Sequence, residues 1–143
     1  MNNTVKNKVS FDFDSTLDRE DVQEFAKHLI ENGIEVWITT SRCSDDEAER
    51  KRWNPNWNND LWLVARRLGI PKERVNFTAY EDKFHKLTNN GFIWHLDDDE
   101  IEIELLEENN SDCVGINVCL NDWLSVCESH LIMNTSTYTI KLH

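Results

Sequence analysis

The run Val9-Ser10-Phe11-Asp12-Phe13-Asp14-Ser15-Thr16-Leu17 sets two carboxylates one residue apart and a hydroxyl two residues further on. The apolar residues around Asp12 and Asp14 point to a buried strand, with the acids where it ends. A buried charge costs several kcal/mol unless it is paired or holds a metal. Two carboxylates with Thr16 beside them therefore ask for a cation or a reaction. Three further polar groups follow along the chain: Thr39-Thr40-Ser41-Arg42, then Lys83, then Asp97-Asp98-Asp99.

These groups need elements to position them. Val9–Phe13 and Ile34–Thr39 are short apolar runs with β-branched and aromatic character, and read as strands; Arg74–Thr78, Phe92–Leu96 and Cys113–Cys119 complete a set of five. Between them lie stretches with helical spacing. Asp18–Asn32 carries Val22, Phe25, Ala26, Leu29 and Ile30 and is stopped by Gly33. Asp60–Leu68 ends at Gly69, Lys83–Thr88 is short, Glu100–Glu108 turns Ile101, Leu105 and Leu106 inward, and Asp122–Met133 is the last helix. Tyr138–Leu142 reads as an edge strand. The polar segment Ser41–Trp57 shows no such periodicity and closes on the turn signal Trp53-Asn54-Pro55-Asn56-Trp57. Alternating strands and helices imply an α/β chain: a single Rossmann-like three-layer domain over residues 1–143, with a parallel sheet and right-handed crossovers. Ligands of such sheets bind beyond the carboxyl ends of the strands. The first and fourth strands end in acids, and the second in hydroxyls and an arginine.

The order carboxylate pair, hydroxyl, lysine, carboxylate pair resembles the haloacid dehalogenase (HAD) superfamily of phosphotransferases, from Val9 to about Val118. The resemblance implies a five-stranded sheet of order 5-4-1-2-3 and a magnesium-dependent phosphomonoester hydrolase working through an aspartyl-phosphate. It makes Asp12 the nucleophile and a metal ligand. Asp14 becomes the general acid/base and lends a backbone carbonyl to the metal, and Thr16 helps to position Asp14 and its loop. Thr40 resembles the second motif's hydroxyl, since Thr40-Ser41-Arg42 is similar to the family's Ser/Thr-Gly-Arg variant; Thr39 is the alternative. Thr16, Ser41 and Arg42 would then face the substrate. Lys83 resembles the lysine that holds phosphoryl oxygens, with Lys86 one turn later as its rival. Asp97 and Asp98 resemble the acids that complete the Mg2+ site, and Asp99 caps the following helix. His95 reads as structural. Ser15 and Ser41 stand where the family commonly has glycine; Ser15 is tolerated in a turn if its backbone keeps a negative φ.

The role of each group also follows from its type. A phosphoryl group carries charge that must be neutralised before a carboxylate can approach it, and a metal ion and a lysine do this. Magnesium takes oxygen ligands from a few carboxylates and keeps several waters. A carboxylate nucleophile splits hydrolysis into two steps, and a second carboxyl group carries the leaving-group proton.

About two dozen residues separate Asp14 from Thr40, and some forty separate Thr40 from Lys83. Neither interval holds a cap domain of the kind larger family members carry. The resemblance then implies an open site that takes a large substrate or is closed by another copy in a homo-oligomer. Residues 43–62, with Arg50-Lys51-Arg52 and Trp53, Trp57 and Trp62, become the specificity element. Tryptophans beside cations can stack a base or sugar. A phosphorylated small molecule is the first expected substrate. A nucleotide or nucleic-acid end, acted on by a nucleotide or polynucleotide phosphatase, is the alternative. A non-catalytic metal- and phosphate-binding module is the alternative of another class.

Composition sets the outer bounds. The net charge of −12 argues against broad nucleic-acid affinity. Residues 42–74 depart from it, with eight Lys/Arg against six Asp/Glu. The four cysteines (Cys43, Cys113, Cys119 and Cys127) form no C-x-x-C pair and read as thiols of a reducing compartment. No apolar run spans a bilayer and the first residues hold no secretory apolar stretch, so the expected location is the cytoplasm with no membrane partner.

Overall fold

The computed structural model describes residues 6–135; the edge strand expected at Tyr138–Leu142 lies outside them. Five parallel strands form one sheet: β1 (Lys8–Phe11), β2 (Glu35–Thr40), β3 (Val75–Phe77), β4 (Phe92–Asp97) and β5 (Val114–Asn117). Their spatial order is β3-β2-β1-β4-β5, the order expected from the sequence. The helices between them are α1 (Glu20–Glu31), α2 (Asp45–Arg50), α3 (Asn59–Leu68), α4 (Phe84–Leu87), α5 (Glu100–Glu108) and α6 (Trp123–Asn134). The α2 turn corrects the reading of Ser41–Trp57 as irregular. Only Ala48 of α2 is buried, so it shows no apolar stripe; Ser44 Oγ caps it by accepting the Glu47 N–H at 3.2 Å.

One face of the sheet is a ring-filled core beneath α1 and α6. Phe11 meets Trp94 edge-on at 5.3 Å, Trp94 stacks on Phe25 at 6.1 Å, and Phe25 meets Trp123 edge-on at 5.6 Å. These side chains, with Leu17, Leu29 and Ile38, leave water almost completely. Each such burial contributes about 1.5–3 kcal/mol. The other face has a smaller apolar cluster of Leu87, Phe92, Leu106 and Cys113, with Trp37 and Phe84 against it.

A register shift shapes that second face. Lys8 pairs with Phe92, yet Ser10 pairs with His95, so β4 runs one residue longer than β1 between them. Strict alternation would send Phe92 and His95 to opposite faces. The extra residue resets the alternation, as a bulge does. His95 and Asp97 thereby join Ser10 and Asp12 on the face beneath α4 and α5.

Candidate active site

Asp12 ends β1, and its N–H donates to the Leu96 carbonyl of β4 at 2.9 Å. The chain then makes a wide helical turn over Phe13–Leu17, in which the Asp18 N–H reaches the Phe13 carbonyl at 3.1 Å. Ser15 adopts φ +60° inside this turn, so the negative φ that would make serine there free of strain is not met. A side chain here stands in the left-handed region that glycine enters freely, at a cost of about 1–2 kcal/mol. The turn turns Asp14 outward, leaving its side chain 52% exposed, while Asp12 stays buried.

Three elements converge on Asp12. Lys83, just before α4, is buried, and its Nζ donates to Asp12 Oδ1 at 2.9 Å and to Asp97 Oδ2 at 2.7 Å. Its own N–H donates to Glu102 Oε2 of α5 at 3.0 Å. Lys86 is exposed, so Lys83 is the lysine at the site. Asp97 Oδ1 accepts the Asp99 N–H at 3.0 Å, and Asp99 in turn caps α5 through Ile101 N–H at 2.9 Å. One oxygen from each of Asp12, Asp97 and Asp98 lies within 4.8 Å of the others, a set that can hold a cation. Thr16 Oγ1 reaches Asp12 Oδ2 at 3.4 Å, so it supports Asp12 and not Asp14 as expected.

A buried polar chain runs back from this centre. His95, wholly buried, places Nε2 2.7 Å from Asp97 Oδ2 and Nδ1 2.9 Å from Ser10 Oγ. Ser10 Oγ donates to Thr39 Oγ1 at 2.8 Å, and Asn76 Nδ2 donates to the same Thr39 atom at 3.4 Å. His95 and Ser10 were not singled out as site residues from the sequence; a histidine two residues before an aspartate on a strand was the available signal, because such residues share a face.

The electrostatics follow from burial and excess negative charge. Burial pushes the Asp12 carboxyl up to about 9, opposed by Lys83 and aided by the Asp97 charge. Burial works to raise Asp97 too, but the hydrogen bond and charge of His95, with Lys83, hold it well below the carboxylate range. Burial would lower the Lys83 ammonium, and the charges of Asp12 and Asp97 outweigh it and raise it. Burial lowers His95 and raises Asp98 and Glu102. Asp12 and Asp97 thus share one ammonium with Asp98 close to both, and a proton on Asp12 offsets part of the excess.

The second-strand residues are placed differently. Thr40 is buried, and its Oγ1 accepts the Arg42 N–H at 3.2 Å; Ser41 is partly buried, and its carbonyl accepts the Tyr80 N–H at 2.7 Å. Neither side chain is recorded in a bond to Asp12 or Lys83. Thr39, the alternative to Thr40, belongs to the buried chain. Arg42 grips Asp14 with Nε at 3.0 Å and Nη2 at 2.7 Å, and also grips Asp60, which sequence reasoning missed.

Among the described residues no helix is long and apolar enough to cross a membrane. All four cysteines are free. No family model, curated protein or solved structure matches the chain. The chemistry of the site has to be read from its own geometry.

Proposed function

We propose that this chain is a magnesium-dependent phosphomonoester hydrolase of the HAD kind, with Asp12 as the nucleophile. The carrying observation is the Lys83 ammonium bridging Asp12 and Asp97 at 2.9 and 2.7 Å, with Asp98 completing an all-oxygen set at the carboxyl ends of β1 and β4. An all-oxygen set suits a hard divalent cation, and the uncompensated carboxylate charge favours one. A magnesium ion held by Asp12, Asp97 and Asp98 would replace the Asp12 proton and screen the oxygens of an incoming phosphoryl group.

The chain's own residues then divide the work. Lys83 neutralises phosphoryl charge and orients Asp12. An ionised Asp12 oxygen attacks phosphorus as the ester P–O bond breaks. Asp14 gives its proton to the departing alkoxide. Water then attacks the aspartyl-phosphate, returns a proton to Asp14, and releases phosphate and free Asp12. Asp14 stands two residues from Asp12 and is exposed enough to meet the leaving group.

A nucleoside or oligonucleotide phosphate is a second reading of the substrate. It is favoured by Trp53 and Trp57, both partly exposed and 5.8 Å apart, with the Arg42 guanidinium 5.7 Å from the Trp57 ring.

The test is turnover of an aryl phosphate with magnesium by the purified protein and by Asp12→Asn. We expect wild-type turnover that stops with a chelator and falls at least about a thousandfold in the variant. Equal rates would remove Asp12 from the nucleophile role.

A further inference from the structure

The Arg42 guanidinium has five N–H hydrogens, and six bonds engage them, the longest from Nη1 to Asn58 Oδ1 at 3.5 Å. Nε and Nη2 reach the two Asp14 oxygens at 3.0 and 2.7 Å. Nη1 and Nη2 reach the two Asp60 oxygens at 2.8 and 3.0 Å. Nη1 also donates to the Trp57 carbonyl at 3.2 Å. The flat group lies against two rings, with its centre 5.0 Å from Phe13 and 5.7 Å from Trp57. Its side chain is only 12% exposed, although both carboxylates it joins are more than half exposed. No donor is left to turn toward a phosphate.

From this we infer that Arg42 is a positioning residue for Asp14, anchored by Asp60, and not a ligand of the substrate phosphate. The proposal rests on the phosphatase reading above, in which Asp14 carries the leaving-group proton. A two-pronged arginine fork fixes the plane of a carboxylate as well as its distance, which a lysine cannot do. It takes one lone pair from each Asp14 oxygen and leaves one on each for a proton or a water. Asp14 needs such support. It sits in a turn strained at Ser15, is half exposed, and has no other side-chain hydrogen bond among the described residues. Asp60 is itself fixed, since Oδ1 accepts the Leu61 N–H at 2.9 Å at the start of α3. Orientation of the proton carrier is therefore set from α3, with Trp57 and Phe13 holding the guanidinium flat.

The same contacts tie Asp14 to residues 43–60. Asn58 closes that segment by donating to the Cys43 carbonyl at 3.0 Å and to Asp45 Oδ1 at 2.8 Å. Trp57 and Asp60 flank Asn58 and both bind Arg42. A substrate that presses on Trp57 would thus be felt at the acid/base group.

Leaving-group dependence separates the two roles. Alkyl phosphates need a proton on the departing oxygen, and aryl phosphates barely do. We expect Arg42→Met to lower kcat/KM, which reports the steps up to departure of the leaving group, by about tenfold or more for an alkyl phosphate. The aryl phosphate kcat/KM and the affinity for inorganic phosphate, titrated with magnesium present, should stay within about threefold. Asp60→Asn, exposed and tolerable to the fold, should show the same pattern more weakly. A tenfold loss of inorganic phosphate affinity in Arg42→Met, or equal losses of kcat/KM on both esters, would overturn the proposal. A readout without turnover keeps it separate from the phosphatase reading. The Arg42 Nε–H nuclear magnetic resonance signal should exchange slowly in the wild type and at least about tenfold faster in Asp60→Asn. Unchanged exchange would overturn the anchoring by Asp60. Wild-type protein that turns over no ester would sink the phosphatase reading and leave that exchange result to decide the Asp60 anchor.

Discussion

Beneath α1 and α6 the sheet presents rings; beneath α4 and α5, toward the carboxyl ends of the strands, it presents Ser10, Thr39, His95 and Asp97. Both faces belong to the same strands and are equally dry. On the ring face each contact is apolar and non-directional, and the sum stabilises the fold. On the polar face each group needs a partner of fixed geometry, and two carboxylates share one ammonium with a third beside them. Such a cluster is poor material for stability, because removing charges from water costs as much as their pairing returns. It fits the proposed site, in which a cation and a phosphoryl group would take up that charge. The ring face thus carries most of the apolar core, while the strand ends of the other face carry the polar cluster beside a smaller apolar one, and this division can be broken from either side.

The largest effect belongs to the polar face. Lys83→Met should reduce phosphatase turnover by at least about a thousandfold, because Asp12 loses its orientation and the phosphoryl group its ammonium. Steady-state kinetics beside a thermal melt would check this; a drop in activity that only tracks unfolding would erase the distinction between the faces. Phe11→Ala attacks the ring face. It should cost about 3–5 kcal/mol of stability by urea unfolding, and molecules still folded should keep turnover within severalfold. A catalytic loss much larger than that would show that the ring face also shapes the site.

A third, subtler effect is the response of metal-free stability to pH. The folded protein holds the Asp12 proton up to about 9, whereas the unfolded chain releases it near the ordinary 3.8. Between those values the native state binds more protons, so stability must fall as pH rises toward 9. Above about pH 7 the unfolded histidine is mostly neutral, so the lowered His95 adds little slope. From pH 7 to 8.5, with a chelator present, we expect a loss of up to about 1.4 kcal/mol per pH unit from this one proton. Asp12→Asn should flatten that slope and leave the buried cysteines' contribution common to both proteins. Parallel slopes would mean that Asp12 is already ionised in the fold.

The ring face was legible in the sequence, since apolar runs and helical spacing carry it; the parallel sheet follows from alternation, and the strand order from the family resemblance. The acids at the strand ends were legible for the same reason: Asp12 and Asp97 directly follow apolar runs. The groups between them were not. Pairing of Ser10 with His95 depends on a register shift between β1 and β4, which no spacing along one strand announces. The choice of Lys83 over Lys86 depends on where α4 begins, and the Asp60 partner of Arg42 lies 18 residues away across a segment without periodicity. The α2 turn was missed because its residues are nearly all polar.

The central claim is that Asp12 becomes phosphorylated, and it can be tested by acid-quenching the protein with magnesium and a labelled phosphomonoester, then mapping the label by mass spectrometry. We predict an acid-stable, alkali-labile phosphate on the peptide containing Asp12, absent from Asp12→Asn. Sustained turnover with no label on that peptide, matched by an equally active Asp12→Asn protein, would contradict the account.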